Sequence, residues 1–257
     1  MDRQNGVVRK SGVLRSLFFV LWVLTSTLLY AIFTLTICLF SRKLGRRIAR
    51  IWNLQVLGAG GIKIRVEGKE KINSSERYVF MANHQSALDI PIMYAGIGSQ
   101  ISFIAKKELF MIPVFGWGMA AVGHIWIDRQ NARRAHASIA RAVKMLNRQN
   151  VSLILFPEGT RSRDGKVGDF KSASFSLALQ AGVKLVPVAI KGAIDRLPPG
   201  TSSIVPGEVL LEIGDPIPVG ELKAQSKVEL CARVHSAIKG MVEGKTKDLL
   251  LESTHQN

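Results

Sequence analysis

The sequence predicts an α/β fold: a largely parallel central sheet flanked by helices, carried behind an N-terminal helical membrane-anchoring segment. Three observations predict it. From Ile62 onward, short apolar runs of strand length alternate with stretches of helical periodicity, the pattern of a parallel sheet covered on both faces. Ahead of that alternation, Leu17 to Phe40 runs for 24 residues without a charged side chain. The chain has 257 residues, a length that favours one substantial core with an appendage over two independent domains.

The apolar run comes first. As a helix it would measure about 36 Å, at about 1.5 Å per residue, which is enough to span a bilayer. Its central Thr25-Ser26-Thr27 also admits a helix that dips in without crossing. Arg9, Lys10 and Arg15 precede it, while Arg42, Lys43, Arg46, Arg47 and Arg50 follow; the denser second cluster places the remainder of the chain in the cytoplasm. A cleaved signal peptide is disfavoured, because its apolar core should be about 7 to 15 residues long and no small-residue cleavage site follows. From Leu44 to Leu57, Leu44, Ile48, Ile51, Trp52 and Gln55 repeat at helical spacing, with Arg46, Arg47 and Arg50 on other faces. That pattern fits an interfacial amphipathic helix, or a helix packed on the domain core. Gly58-Ala59-Gly60-Gly61 ends it and divides the membrane-associated residues 1–60 from a catalytic domain over 61–257.

In that domain the strands are read at Ile62 to Glu67, Tyr78 to Ala82, Ile101 to Ala105, Gly123 to Asp128, Val151 to Phe156, Lys184 to Ile190 and Val209 to Ile213. Helices are read at Leu88 to Tyr94, Val114 to Ala121, Ala132 to Arg148, Ser172 to Gln180 and Glu221 to Val242. In parallel sheets ligands gather beyond the carboxyl ends of the strands. His84, Lys106, Arg129 and Glu158 each follow a strand, which would bring them to one edge.

Asn83-His84-Gln85-Ser86-Ala87-Leu88-Asp89 is the stretch that carries chemistry. A neutral imidazole at a strand-to-helix turn can take a proton from a hydroxyl, provided a carboxylate fixes its tautomer. Asp89 is the nearest candidate. Five residues apart on an unbroken helix, the two would diverge by about 140°, so they meet only if the chain turns between them. Pro91, tolerated in a first helical turn, supports such a turn. The same residues also fit a capping-box variant, in which Ser86 caps the helix and Asp89 reaches back to a backbone N–H. Further on, Phe156-Pro157-Glu158-Gly159-Thr160-Arg161-Ser162-Arg163 forms a tight turn bearing hydroxyls and two arginines, a fit for a phosphate or an ordinary polar turn. Phe110 to Met119 is apolar nearly throughout and reads as packed core, the lining of an apolar channel or a lipid-facing segment. His124, His136, His235 and His255 lack such a constellation.

Asn83-His84 with Asp89, then Gly123-His124-Ile125-Trp126-Ile127-Asp128-Arg129, then Phe156-Pro157-Glu158-Gly159-Thr160-Arg161-Ser162, then Val186-Pro187-Val188-Ala189 resemble the ordered blocks of the glycerolipid acyltransferase family. The nearest likeness is to bacterial 1-acyl-sn-glycerol-3-phosphate (lysophosphatidic acid) acyltransferases. It implies that His84 is the general base and Asp89 its partner. It further implies that Arg129, Glu158, Gly159, Thr160 and Arg161, with Lys106, bind the acceptor. The implied reaction moves an acyl group from an acyl-CoA or acyl carrier protein thioester to the sn-2 hydroxyl of lysophosphatidic acid, giving phosphatidic acid, with no cofactor. Another lysolipid such as lyso-ornithine lipid, glycerol 3-phosphate, or a non-enzymatic basic membrane scaffold are the alternatives. The oxyanion donors are expected among the backbone N–H groups of the turn after His84.

Composition bounds the partners. The net charge of +16 calls for an anionic partner. Up to Arg50 nine Lys/Arg oppose a single acid, Asp2, and they flank the apolar segment, which suits anionic membrane lipid. The aromatics sit mostly in apolar runs, which argues against nucleic acid. Cys38 and Cys231 give no disulfide framework. No Cys/His spacing suggests a metal, and no Gly-x-Ser-x-Gly elbow suggests an enzyme nucleophile. The expected location is the cell inner membrane, with the catalytic domain facing the cytoplasm.

Overall fold

The computed structural model describes residues 12–127, 132–149, 151–219 and 227–244. Helix α1, Val13–Cys38, contains the apolar run as far as Cys38 and is long and apolar enough to cross a membrane; only 22% of its most apolar window is covered by the rest of the protein. The chain turns at Leu39 and Phe40, both exposed. Ser41 then starts helix α2, Arg42–Gly60, its hydroxyl accepting from the Leu44 N–H at 3.3 Å. Gly61, at φ 68°, ends it in the left-handed region that favours glycine. α2 folds back along α1. The two cross closely at Gly45, where any Cβ would collide with the Cys38 sulfur, and Trp52 Nε1–H donates to the Ser26 hydroxyl at 3.3 Å. One face of this helix packs on the protein, with Ile48, Val56 and Leu57 buried, while Leu44, Ile51 and Leu54 stay exposed.

The sheet comprises β1 Ile62–Glu67, β2 Val79–Ala82, β3 Ile101–Lys106, β4 Ile125–Ile127, β5 Ser152–Leu155, β6 Leu185–Lys191 and β7 Gly207–Ile213. Their order is β1-β7-β6-β2-β5-β3-β4. Strands β2 to β6 run parallel, as the alternation predicts, and β7 turns antiparallel to β6 with β1 beside it. The reversal follows from the connection: between β6 and β7 lies only the short helix α8, Ala193–Arg196, and no crossover helix. The remaining helices are α3 Asp89–Gly96, α4 Lys107–Phe110, α5 Phe115–Val122, α6 Ala132–Gln149, α7 Phe175–Ala181 and α9 Lys227–Glu243. Sequence periodicity missed α4 and α8, each one turn long. The expected start of the last helix, residues 221–226, lies outside the described residues, as does Asp128.

Strand alternation splits the core. Phe80 and Ala82 face Val56, Ile92 and Tyr94 on one side, while Val79 and Met81 face Leu146, Leu177 and Val234 on the other. The stretch Phe110 to Met119 is not the packed core that its composition suggests. Met111 is 75% and Trp117 58% exposed, because small residues occupy the inner face: Gly116 abuts the Phe110 carbonyl and Gly118 lies against Ala31 of α1.

Candidate active site

The parallel strands β2, β5 and β3 are neighbours, so their carboxyl ends deliver His84, Glu158 and Lys106 to one edge of the sheet. Asn83 fixes the departure of the chain from β2. Its buried amide donates to the Ile190 carbonyl at 2.9 Å and accepts from the Ile190 N–H at 2.7 Å, extending the β2–β6 pairing by one residue. The chain then turns, and His84 Nδ1 meets Asp89 Oδ2 at 2.6 Å.

That same oxygen accepts the backbone N–H groups of Gln85 at 2.7 Å and Ser86 at 2.9 Å. The capping and catalytic readings of Asp89 are thus one arrangement: the carboxylate closes the turn and holds the ring. Asp89 is fully buried, and its other oxygen has no hydrogen-bond partner among the described residues. A carboxylate can only accept, so Nδ1 carries the hydrogen and the neutral ring keeps its lone pair at Nε2. The ring stacks on Phe156, centroids 4.1 Å apart, and 16% of the side chain reaches solvent.

The turn after β5 is stitched to this one in both directions. Glu158 Oε1 accepts the His84 N–H at 2.8 Å, and the Ser162 N–H donates to the His84 carbonyl at 2.8 Å. Glu158 Oε2 accepts from the Gly168 N–H at 3.1 Å, and burial raises the pKa of this carboxyl above its usual value. Glu158, expected among the acceptor ligands, therefore faces the protein. Gly159, at φ 77°, makes the turn, and Thr160 and Arg161 stand exposed beyond it. Lys171 folds over Gly159, and its ammonium would lie 3.0 Å from a Cβ there. Lys106 ends β3, two strands from His84, with its ammonium 3.7 Å from Glu108. Arg129 lies outside the described residues.

The oxyanion expectation narrows at the amides of the turn itself. The N–H groups of Gln85 and Ser86 are committed to Asp89, those of His84 and Leu88 to Glu158 and the Ser86 hydroxyl, so these amides are not open to a substrate. Sequence reasoning gave Phe156, Asn83 and Lys171 no role of their own, whereas Ser86, read as a helix cap, does accept the Leu88 N–H at 3.2 Å. Of the first three only Asn83 and Phe156 carried a signal, since each sits at the junction of a strand with a polar turn.

Beside Asp89, an apolar cavity of about 100 Å³ lies between α1, α2, α3 and α5. Ala31, Trp52, Ile90, Phe115 and Met119 are among its lining residues; His84 is not. Tyr94 and His124 are among its polar lining residues, with Thr27, Thr34 and Asn53. The Phe103 N–H donates to His124 Nδ1 at 3.2 Å, so the opposite nitrogen carries the hydrogen and points to the Tyr94 hydroxyl at 3.3 Å. Burial, helped by Arg46, lowers the His124 pKa to about 4. Among the described residues no cluster of His, Cys, Asp and Glu could hold a metal ion.

A mixed sheet of this order, with an imidazole and a buried carboxylate paired at its carboxyl edge, defines an α/β protein of the acyltransferase type. A family model described as Acyltransferase matches residues 63–191, and the chain belongs to that family. The structure of the 1-acyl-sn-glycerophosphate acyltransferase PlsC from Thermotoga maritima superposes with a TM-score of 0.76 at 30% identity, covering 90% of this chain and 95% of that one. The chloroplastic 1-acyl-sn-glycerol-3-phosphate acyltransferase of Arabidopsis thaliana is 33% identical over 82% of this chain, which spans 61% of that relative's length. The 1-acyl-sn-glycerol-3-phosphate acyltransferase of Escherichia coli is 27% identical over 87% of this chain and 91% of its own length.

Proposed function

We propose that this chain transfers an acyl group from an acyl thioester to the sn-2 hydroxyl of 1-acyl-sn-glycerol 3-phosphate, giving phosphatidic acid. The observation that carries the reading is the His84–Asp89 contact, which leaves Nε2 as a base at the sheet edge shared with the arginine-bearing turn. In the proposed step Nε2 takes the hydroxyl proton as the oxygen attacks the thioester carbonyl. The tetrahedral intermediate collapses, the thiolate leaves, and the imidazolium returns the proton to it. Asp89 keeps the ring in its tautomer and opposes the positive charge that forms. Arg161, Thr160 and the Gly159 turn grip the acceptor phosphate, Arg129 and Lys106 add positive charge, and Glu158 positions the turn from behind. Lys171 extends the same cationic surface.

In this reading residues 1–60 hold the enzyme on anionic membrane lipid and residues 61–257 carry the catalysis, at the inner membrane on its cytoplasmic side. The homologues named as acyltransferases and the length and hydropathy of α1 support it. Either CoA or an acyl carrier protein would present the thioester. The test is a panel of acceptors and donors offered to purified enzyme in detergent, with products read by mass spectrometry. Phosphatidic acid from lysophosphatidic acid is the expected product. Turnover of a phosphate-free or amino-acid lysolipid in preference to it would overturn the assignment.

A further inference from the structure

We propose that the α4–α5 hairpin is a second membrane-inserting element, which carries the bilayer surface up to the catalytic edge of the sheet. The inference rests on the reading of α1 as a membrane segment. Hairpin and catalytic edge are joined directly, since α4 starts at the carboxyl end of β3, the edge that also bears His84. Leu109, Met111, Ile112 and Trp117 are exposed, an arrangement that costs free energy in water for one short hairpin. They are held out by the backbone. Pro113, Val114 and Phe115 form a tight turn in which the Phe115 N–H donates to the Pro113 carbonyl at 2.7 Å, and Val114, a β-branched residue, takes φ 64°. A loop that merely needed to connect two helices would not adopt so unfavourable a conformation. Here it keeps Met111 to Pro113 at the tip while Gly116 and Gly118 let the helix sit close on the rest of the protein.

Two further observations select the occupant. Gly118 packs on Ala31 of α1, and α1 turns Phe18, Leu29 and Phe33, each more than half exposed, away from that contact, so a bilayer surrounding α1 would meet the hairpin beside it. At its base stand Lys106, 63% exposed, and Lys107, while Trp117 is set on its flank. Basic residues at the level of anionic headgroups, aliphatic residues beyond them and an indole at the boundary are the pattern of an interfacial element. An acyl acceptor held in the leaflet would then approach His84 across a lipid surface, with its tail never crossing water.

The native tryptophans supply the probe. The full chain is reconstituted in vesicles of phosphatidylcholine and phosphatidylglycerol, with or without bromine on the acyl chains, and the Trp117→Phe and Trp22→Phe variants isolate the two emissions by difference. The expected result is that brominated chains quench the Trp117 component as they do that of Trp22 in α1, and that Met111→Glu with Ile112→Glu removes the first quenching only. Trp117 emission quenched by aqueous iodide and untouched by brominated lipid, with Trp22 quenched, would overturn the proposal and leave α1 in the membrane. Neither component quenched by lipid would overturn both readings. Shielding of Trp117 by an acidic carrier protein and not by vesicles would assign the face to protein and overturn it as well.

Discussion

Asp89→Asn separates what the carboxylate does by charge from what it does by shape. All three hydrogen bonds converge on Oδ2, and the other oxygen meets no partner among the described residues. An asparagine can therefore place its carbonyl where Oδ2 is and its amide where nothing is met, keeping the turn and the tautomer. What it loses is the negative charge facing the imidazolium. Two unit charges about 4 Å apart at an effective dielectric of about 20 interact by about 4 kcal/mol, which is about a thousandfold in rate. That lies within the roughly 10²- to 10⁴-fold that a general base contributes. Thiol release during acyl transfer should show kcat of Asp89→Asn lower by about 10²- to 10³-fold, with acceptor KM little changed. His84→Ala should lose about 10⁴-fold at most. The double variant should be no slower than His84→Ala, because Asp89 acts only through the ring. An Asp89→Asn enzyme with wild-type kcat, or losses that multiply in the double variant, would refute the coupling.

Arg161→Ala should raise the acceptor KM by about 10- to 100-fold with kcat nearly kept, the worth of one charge-assisted contact; an unchanged KM counts against a phosphate grip. His124 should make the protein acid-sensitive. Its folded pKa of about 4 lies below the ordinary value of 6.5, so its contribution is complete above pH 6.5 and is lost as pH falls toward 4, about 3 kcal/mol in all. Thermal unfolding of His124→Gln should accordingly show a weaker fall between pH 7 and 4.5 than wild type, and parallel curves would sink the assignment. Gly45→Val should force α1 from α2 and lower stability by about 1–3 kcal/mol, seen as a drop in unfolding midpoint; an unmoved midpoint would mean the crossing adapts freely.

Much of this was legible because period and punctuation are local properties. Apolar runs of strand length alternating with helices from Ile62 onward called for a largely parallel sheet covered on both faces, whose strand ends carry His84, Lys106 and Glu158 to one side. The uncharged run before Arg42 announced a long helix for the same local reason. Single-turn helices such as α4 and α8 gave no period to read. The exposure of Met111 and Trp117 was hidden because hydropathy records what a side chain prefers, not which face of a helix two glycines leave open.

By itself, then, the sequence determined the order of strands and helices and the residue types waiting at each turn, since those depend on neighbours along the chain. Only the tertiary structure decided how they are used. It closed His84 onto Asp89 through a bend that no helical spacing encodes, and it turned Glu158 inward to two amides. It also spent the Gln85 and Ser86 amides on a carboxylate and laid Phe156 under the imidazole. The physical reason is that burial makes every polar atom find a partner in space, and the partner is chosen by which strands lie side by side.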